Sequence, residues 1–149
     1  MKKAYITGVT GAIGMALVGE LLKNRISTTV FLRKDSGRND RVKDSFSGEL
    51  ARGLLRIEYV SLEELSGYAL SRNTQDMQTY ASQDLLTKAA GGADTAVFYH
   101  LGWSGTFGEQ RNDADMQQKN VEYTLDAVRL AKRLGCVHFI GVGSQAEYG

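Results

Sequence analysis

The sequence predicts an α/β protein built on an open, doubly wound parallel sheet. Three observations carry this expectation. Short apolar, β-branched segments alternate with segments of helical periodicity. The strand segments are apolar on both faces, as in a sheet covered on both sides. The glycines cluster in turns beside those strands rather than in linkers.

Ala4–Thr7 is a first short strand, followed by a glycine-rich turn from Gly8 to Gly14. From Ala12 to Asn24, Ile13, Leu17, Val18, Leu21 and Leu22 fall on one helical face. Thr28–Leu32 is a second buried strand. Residues 33–54 are charged and hold two helical turns; Leu55–Val60 is a third strand. Residues 61–92 are mostly polar, with one or two helices, and Thr95–Leu101 is a fourth strand. Asn112–Leu134 is the clearest helix. Asn112 can cap it, Asp113 and Asp115 suit the positive end of its dipole, and Val121, Leu125, Val128 and Leu134 mark an inward stripe. Gly135 is placed as its left-handed terminator, and Val137–Val142 is a fifth strand. Parallel strands joined by helices imply right-handed crossovers.

Composition excludes several classes. The chain has 149 residues, 42% hydrophobic, which suits one globular domain. Eighteen Lys and Arg against 17 Asp and Glu give a net charge of +1, so no nucleic acid or anionic membrane is expected as partner. No apolar run approaches a membrane span, and no targeting segment is visible, which makes the cytoplasm the default compartment. The single Cys136 rules out an internal disulfide and is expected to be a reduced, buried thiol. His100 and His138 lie on strands without metal-ligand spacing, so no metal is expected; His100 reads as a satisfied core histidine.

The chemistry lies in Thr7-Gly8-Val9-Thr10-Gly11-Ala12-Ile13-Gly14, whose glycines are spaced G-x-x-G-x-x-G. Gly8 permits a sharp exit from the strand, Gly11 lets a diphosphate approach the backbone, and Gly14 lets the helix pack close to the sheet. The helix start then offers N–H groups and a positive dipole end to phosphates. Thr10, Ala12 and Ile13 complete this turn, the arrangement of a Rossmann NAD(P)-binding fold. Arg33 follows the second strand, 19 residues after Gly14. An acidic residue there would accept the ribose hydroxyls of NAD. Arg33 instead suits a 2′-phosphate, with Lys34 and Arg38 adding charge, so NADP is expected over NAD.

With the Thr7–Gly14 turn, three further motifs carry a resemblance. They are Val97-Phe98-Tyr99-His100-Leu101-Gly102, the helix segment Asn120-Val121-Glu122-Tyr123-Thr124, and Phe139 through Gly149 with its closing Gly-Ser-Gln-Ala-Glu-Tyr-Gly. In this order they resemble the extended short-chain dehydrogenases/reductases, the NAD-dependent epimerase/dehydratase family, which acts mainly on nucleotide-activated sugars. The closing segment is most similar to reductases and epimerases of sugar biosynthesis, such as CDP-abequose synthase-like proteins. The resemblance spans the chain but only the N-terminal half of such an enzyme. It implies an NAD(P)-binding domain over residues 1–149, truncated after the fifth strand, with the C-terminal substrate domain absent.

The resemblance also assigns roles. Ser144 corresponds to the catalytic serine or threonine. Leu101, Gly102 and the following Trp103-Ser104-Gly105-Thr106 would line the cofactor, with Ser104 and Thr106 as substrate contacts. Asn120 corresponds to an asparagine that helps order the site. The family's Tyr-x-x-x-Lys pair is missing: Tyr5, Tyr59, Tyr68, Tyr80, Tyr99 and Tyr123 have no lysine four positions on, and Tyr148 has only Gly149 after it. Tyr148 corresponds to a structural Tyr-Gly. The expected function is 4-keto reduction or 4-epimerisation of a nucleotide sugar, less so dehydration, with this chain alone inactive. The alternative is a non-catalytic NAD(P)-binding sensor or regulator of the same fold. Uncovered sheet edge and apolar surface are expected to favour a homo-oligomer.

Overall fold

The computed structural model describes residues 1–71, 95–106 and 108–143. Among these, β1 (Lys3–Thr7), β2 (Ser27–Leu32), β3 (Leu55–Tyr59), β4 (Ala96–His100) and β5 (Cys136–Gly141) form one sheet in the order β3-β2-β1-β4-β5. Every pairing is parallel. The order reverses between β1 and β4, which opens a crevice at the carboxyl ends of the strands. Thr7 is in register with Phe31 on one side and His100 on the other, so three strand ends meet at that crevice.

Helices cover both faces. Val18, Leu21 and Leu22 of α1 (Ala12–Lys23) and Val42 of α2 (Asn39–Ser45) pack with Ala4, Ile6, Val30 and Leu32; Leu50 of α3 (Ser47–Ala51) joins them. On the other face, Leu65 of α4 (Leu65–Ser71) and Ala127, Leu130 and Ala131 of α5 (Ala114–Arg133) pack on Phe31 and Phe98. Each fully buried Val or Leu contributes about 2 kcal/mol relative to exposure. An aromatic row runs across this face, with Phe98 stacked near Tyr5, Phe31 and Phe139 at centroid distances of 6.5, 6.0 and 5.7 Å.

The strands and the two helical turns in residues 33–54 match the sequence expectation to within a residue or two. In the stretch 61–92, a 3-10 turn (Leu62–Glu64) and α4 are described, and the remainder lies outside the described residues. Gly135 ends α5 at φ +71°, as its position implied.

Three expectations are corrected. Val121, Leu125 and Val128 do not face inward; they are 56%, 48% and 42% exposed, and α5 buries Asn120, Ala127, Leu130 and Ala131 instead. The sheet face beneath α5 already carries large rings, so alanines fit where bulky side chains would hold the helix away. Only Leu134 of the expected stripe packs against this core. The cap of α5 is Asp113 rather than Asn112: its Oδ1 accepts from Asp115 N at 3.0 Å and Met116 N at 3.2 Å, while Asn112 ends a 3-10 turn (Gly108–Asn112). Ile13 is 65% exposed at the mouth of α1, where Gly14 occupies the buried position.

Candidate functional site

The chain leaves β1 through Gly8 at φ +73°, a left-handed conformation natural to glycine. A Cβ on Gly8 would overlap the Leu101 carbonyl and lie 2.5 Å from Gly102 N, because the exit of β4 passes directly over the turn. A Cβ on Gly14 would lie 2.6 Å from Val9 Cα. Gly11 differs: among the described residues its Cβ would meet only Gly8 O, at 3.7 Å. The fold therefore needs glycine at positions 8 and 14 for its own packing, whereas at position 11 glycine keeps a space open.

Gly11 is also the N-cap of α1, and no side chain caps that helix. The first-turn N–H groups have no intrahelical acceptors, and the first turn carries no acidic residue. Among the described residues, the result is a positive helix end without a side-chain cap, bordering an open glycine.

The turn forms the floor of a cleft of about 300 Å³. Gly8, Thr10, Gly11, Arg33, Leu101, Gly102 and Ser104, all expected from sequence, line it together with Arg38 and Trp103. Ala12, Ile13 and Gly14 open α1 just beyond the lining, and Thr106 is exposed outside it. Ser144 and Gln145–Gly149, including Tyr148, lie outside the described residues.

At the β2 end, Arg33 is loosely paired with Asp35 (Nε–Oδ1 3.8 Å), and both side chains are largely exposed. Asn39 secures the backbone here: its Nδ2 donates to the Arg33 carbonyl at 2.8 Å and the Lys34 carbonyl at 3.1 Å. Its buried Oδ1 has no hydrogen-bond partner among the described residues. Lys34 does not line the cleft, whereas Ser36 does.

At the β4 end, hydrogen bonds run in one direction. Gly102 N–H donates to Thr7 Oγ1 (3.3 Å), and Thr7 Oγ1 lies 2.8 Å from His100 Nδ1. Thr124 gives its hydroxyl proton to the Asn120 carbonyl (2.8 Å), so its oxygen accepts from His100 Nε2 at 3.4 Å. Burial pushes the His100 pKa down to about 4, so its ring is neutral near pH 7, and Thr124, whose proton is committed to Asn120, favours the tautomer with the proton on Nε2. His100 is a core histidine, as the sequence reading held. Asn120 fixes the next loop residue from both sides, accepting from Ser104 N at 2.9 Å and donating to Ser104 O at 2.8 Å. Cys136 is half-buried, and burial raises its thiol pKa to about 11. Among the described residues no group of His, Cys, Asp or Glu could hold a metal, and no helix is long and apolar enough to cross a membrane.

Sequence reasoning missed the wall beyond β3: Val60, Ser61, Leu62 and Glu63 line the cleft. A signal for it was present. Ser61-x-x-Glu64 is a capping box, in which Ser61 N donates to Glu64 Oε2 at 2.8 Å, and these hydrogen bonds hold the Glu64 carboxyl below its usual range.

A glycine-floored crevice at the switch point of a five-stranded parallel sheet defines the class of protein, a Rossmann-like α/β fold. The NAD dependent epimerase/dehydratase family model matches residues 4–149, and the chain belongs to that family. No curated protein sequence matches it. Among solved structures it is similar to the UDP-Glc/GlcNAc 4-epimerase from Campylobacter jejuni, with a TM-score of 0.70 and 18% identity over 100% of this chain and 39% of that one. It is also similar to yeast methylglyoxal/isovaleraldehyde reductase complexed with NADPH, with a TM-score of 0.60 and 11% identity over 97% of this chain and 37% of that one. A Bordetella bronchiseptica enzyme in complex with NAD+ gives a TM-score of 0.56 and 18% identity over 93% of this chain and 38% of that one. The chain thus spans well under half the length of each of these three.

Proposed function

We propose that this chain is the cofactor-binding part of an NAD(P)-dependent oxidoreductase or epimerase acting on a nucleotide-activated sugar, with NADP preferred. The observation that carries the proposal is the space kept open at Gly11 beside an uncapped helix start, in a cleft that continues to Arg33 and Arg38. These residues fit a nicotinamide dinucleotide. The helix start and the Gly8–Gly11 backbone would hold its diphosphate. Arg33, with Arg38 beside it, would pair with a 2′-phosphate. When bound, the nicotinamide supplies or accepts a hydride.

The remaining roles belong to the chain. Leu101 and Gly102, held over Gly8 by Thr7, wall the other half of the cleft. Ser104, fixed by Asn120, and Thr106 beyond it would contact the sugar. Ser144, three residues past β5, would hydrogen-bond the oxygen that changes between alcohol and ketone. The sugar assignment rests on the family and on the epimerase among the similar folds. Self-association through exposed Val137, Ile140 and Val142 at the β5 edge is part of the same reading.

Calorimetric titration with NADPH, NADP, NADH and NAD tests this. Tighter binding of the phosphorylated pair, lost in Arg33→Ala, is the expected result. Preference for the non-phosphorylated pair would overturn the role of Arg33, and binding of none would overturn the assignment.

A further inference from the structure

Trp103 is 42% exposed at the cleft, although an indole is usually among the more buried side chains. It is nevertheless held firmly. Its Nε1–H donates to Gln117 Oε1 at 2.9 Å. The Gln117 amide is itself oriented: its Nε2 donates to the carbonyls of Gln110 and Arg111, both at 3.2 Å, and its Oε1 also accepts from Asn120 Nδ2 at 3.1 Å. The backbone is pinned on both sides of the ring, at Gly102 by Thr7 and at Ser104 by Asn120. Nothing in a solvent-facing loop requires this much restraint on an exposed aromatic ring. A ligand surface that must find the ring already in place does.

Position in the sheet says which part of the ligand that is. Arg33 follows β2 and Trp103 follows β4, on opposite sides of β1 and the glycine turn. A dinucleotide whose diphosphate rests on the turn has its phosphorylated ribose toward Arg33 and its nicotinamide riboside toward Trp103. We propose that Trp103 is a specificity-determining residue that packs on the nicotinamide riboside, that it favours the oxidised, cationic ring over the reduced, neutral one, and that Gln117 is its positioning residue. This rests on the dinucleotide reading above. The charge preference follows from the negative face of the indole, which attracts a pyridinium cation and has no such attraction for a dihydropyridine.

Because the chain contains one tryptophan, emission reports on Trp103 directly. Binding of NADP should quench it. In calorimetry, Trp103→Ala should weaken NADP about tenfold and NADPH only about threefold, with Trp103→Phe between Ala and wild type. Gln117→Leu should lower the emission anisotropy of the unliganded protein and weaken NADP severalfold. Gln117→Glu keeps an acceptor for the indole N–H but loses the donors to the Gln110 and Arg111 carbonyls, so it should recover only part of the anisotropy. NADP and NADPH affinities within twofold of wild type in Trp103→Ala would overturn this proposal and leave the dinucleotide site standing. Absence of binding by any of the four dinucleotides to the wild-type chain would overturn both.

Discussion

Thr7 Oγ1 and His100 Nδ1, 93 residues apart in sequence, lie 2.8 Å from each other and tie the ends of β1 and β4 together beneath the cleft. Because Gly102 N–H donates to the same Thr7 oxygen, this one hydroxyl sets where the loop after β4 crosses the glycine turn. Thr7→Val keeps the shape and removes the link, leaving the Gly102 N–H and His100 Nδ1 buried without partners. It should cost about 2 kcal/mol by urea denaturation, whereas Thr7→Ser should retain most of the stability. A Val variant as stable as wild type would show that the hydroxyl is dispensable.

His100 makes stability depend on pH. Its folded pKa, about 4, lies below the unfolded value near 6.5, because burial disfavours the cation. Its neutral form is therefore fully accommodated above pH 6.5. As pH falls from 6.5 to 4 the unfolded chain takes up a proton that the folded chain refuses, and on the order of 3 kcal/mol of stability is lost. His100→Gln lacks this titration, so the stability difference between wild type and variant should shrink over that window. A difference constant from pH 7 to pH 4 would contradict the burial of a neutral imidazole.

Gly14 and Gly11 should separate folding from binding. Gly14→Ala places a methyl group against the Val9 backbone and should destabilise the chain by about 3 kcal/mol. Gly11→Ala meets only Gly8 O at 3.7 Å, so its melting temperature should stay within about 2 °C of wild type. Dinucleotide binding should nonetheless fall more than tenfold. Loss of fold in Gly11→Ala, detected by circular dichroism, would show that position 11 serves packing instead.

Asn39 should matter to Arg33 without touching a ligand. Asn39→Ala removes the donors to the Arg33 and Lys34 carbonyls and should cost about 1 kcal/mol. It should also narrow the preference for NADP over NAD, read by calorimetry. An unchanged preference would mean that Arg33 keeps its place without this support.

The sequence made the sheet legible because each strand carries its own short apolar run, and it made the turn legible because Gly8 and Gly14 have steric reasons to be glycine and Gly11 sits between them at an open space. The face of α5 was not legible. Val121, Leu125 and Val128 have the right spacing for a core stripe, yet the space beneath the helix is set by rings from β2, β4 and β5, which the helix sequence does not reveal. Leu130→Ala should therefore cost about 2–4 kcal/mol, and Leu125→Ala about 0.5 kcal/mol or less, in denaturation experiments. Nor was the Val60–Glu63 wall legible by periodicity. It runs from the end of β3 into a 3-10 turn, too short to show a period, and only the capping-box residues announce it.

In the proposed complex a diphosphate rests on the backbone where β1 turns into α1. Amide chemical-shift mapping by NMR during titration with NADP tests it most directly. The largest shifts should fall on the backbone N–H groups of Gly11, Ala12, Ile13 and Gly14. Saturable binding that leaves these four amides unmoved would contradict it.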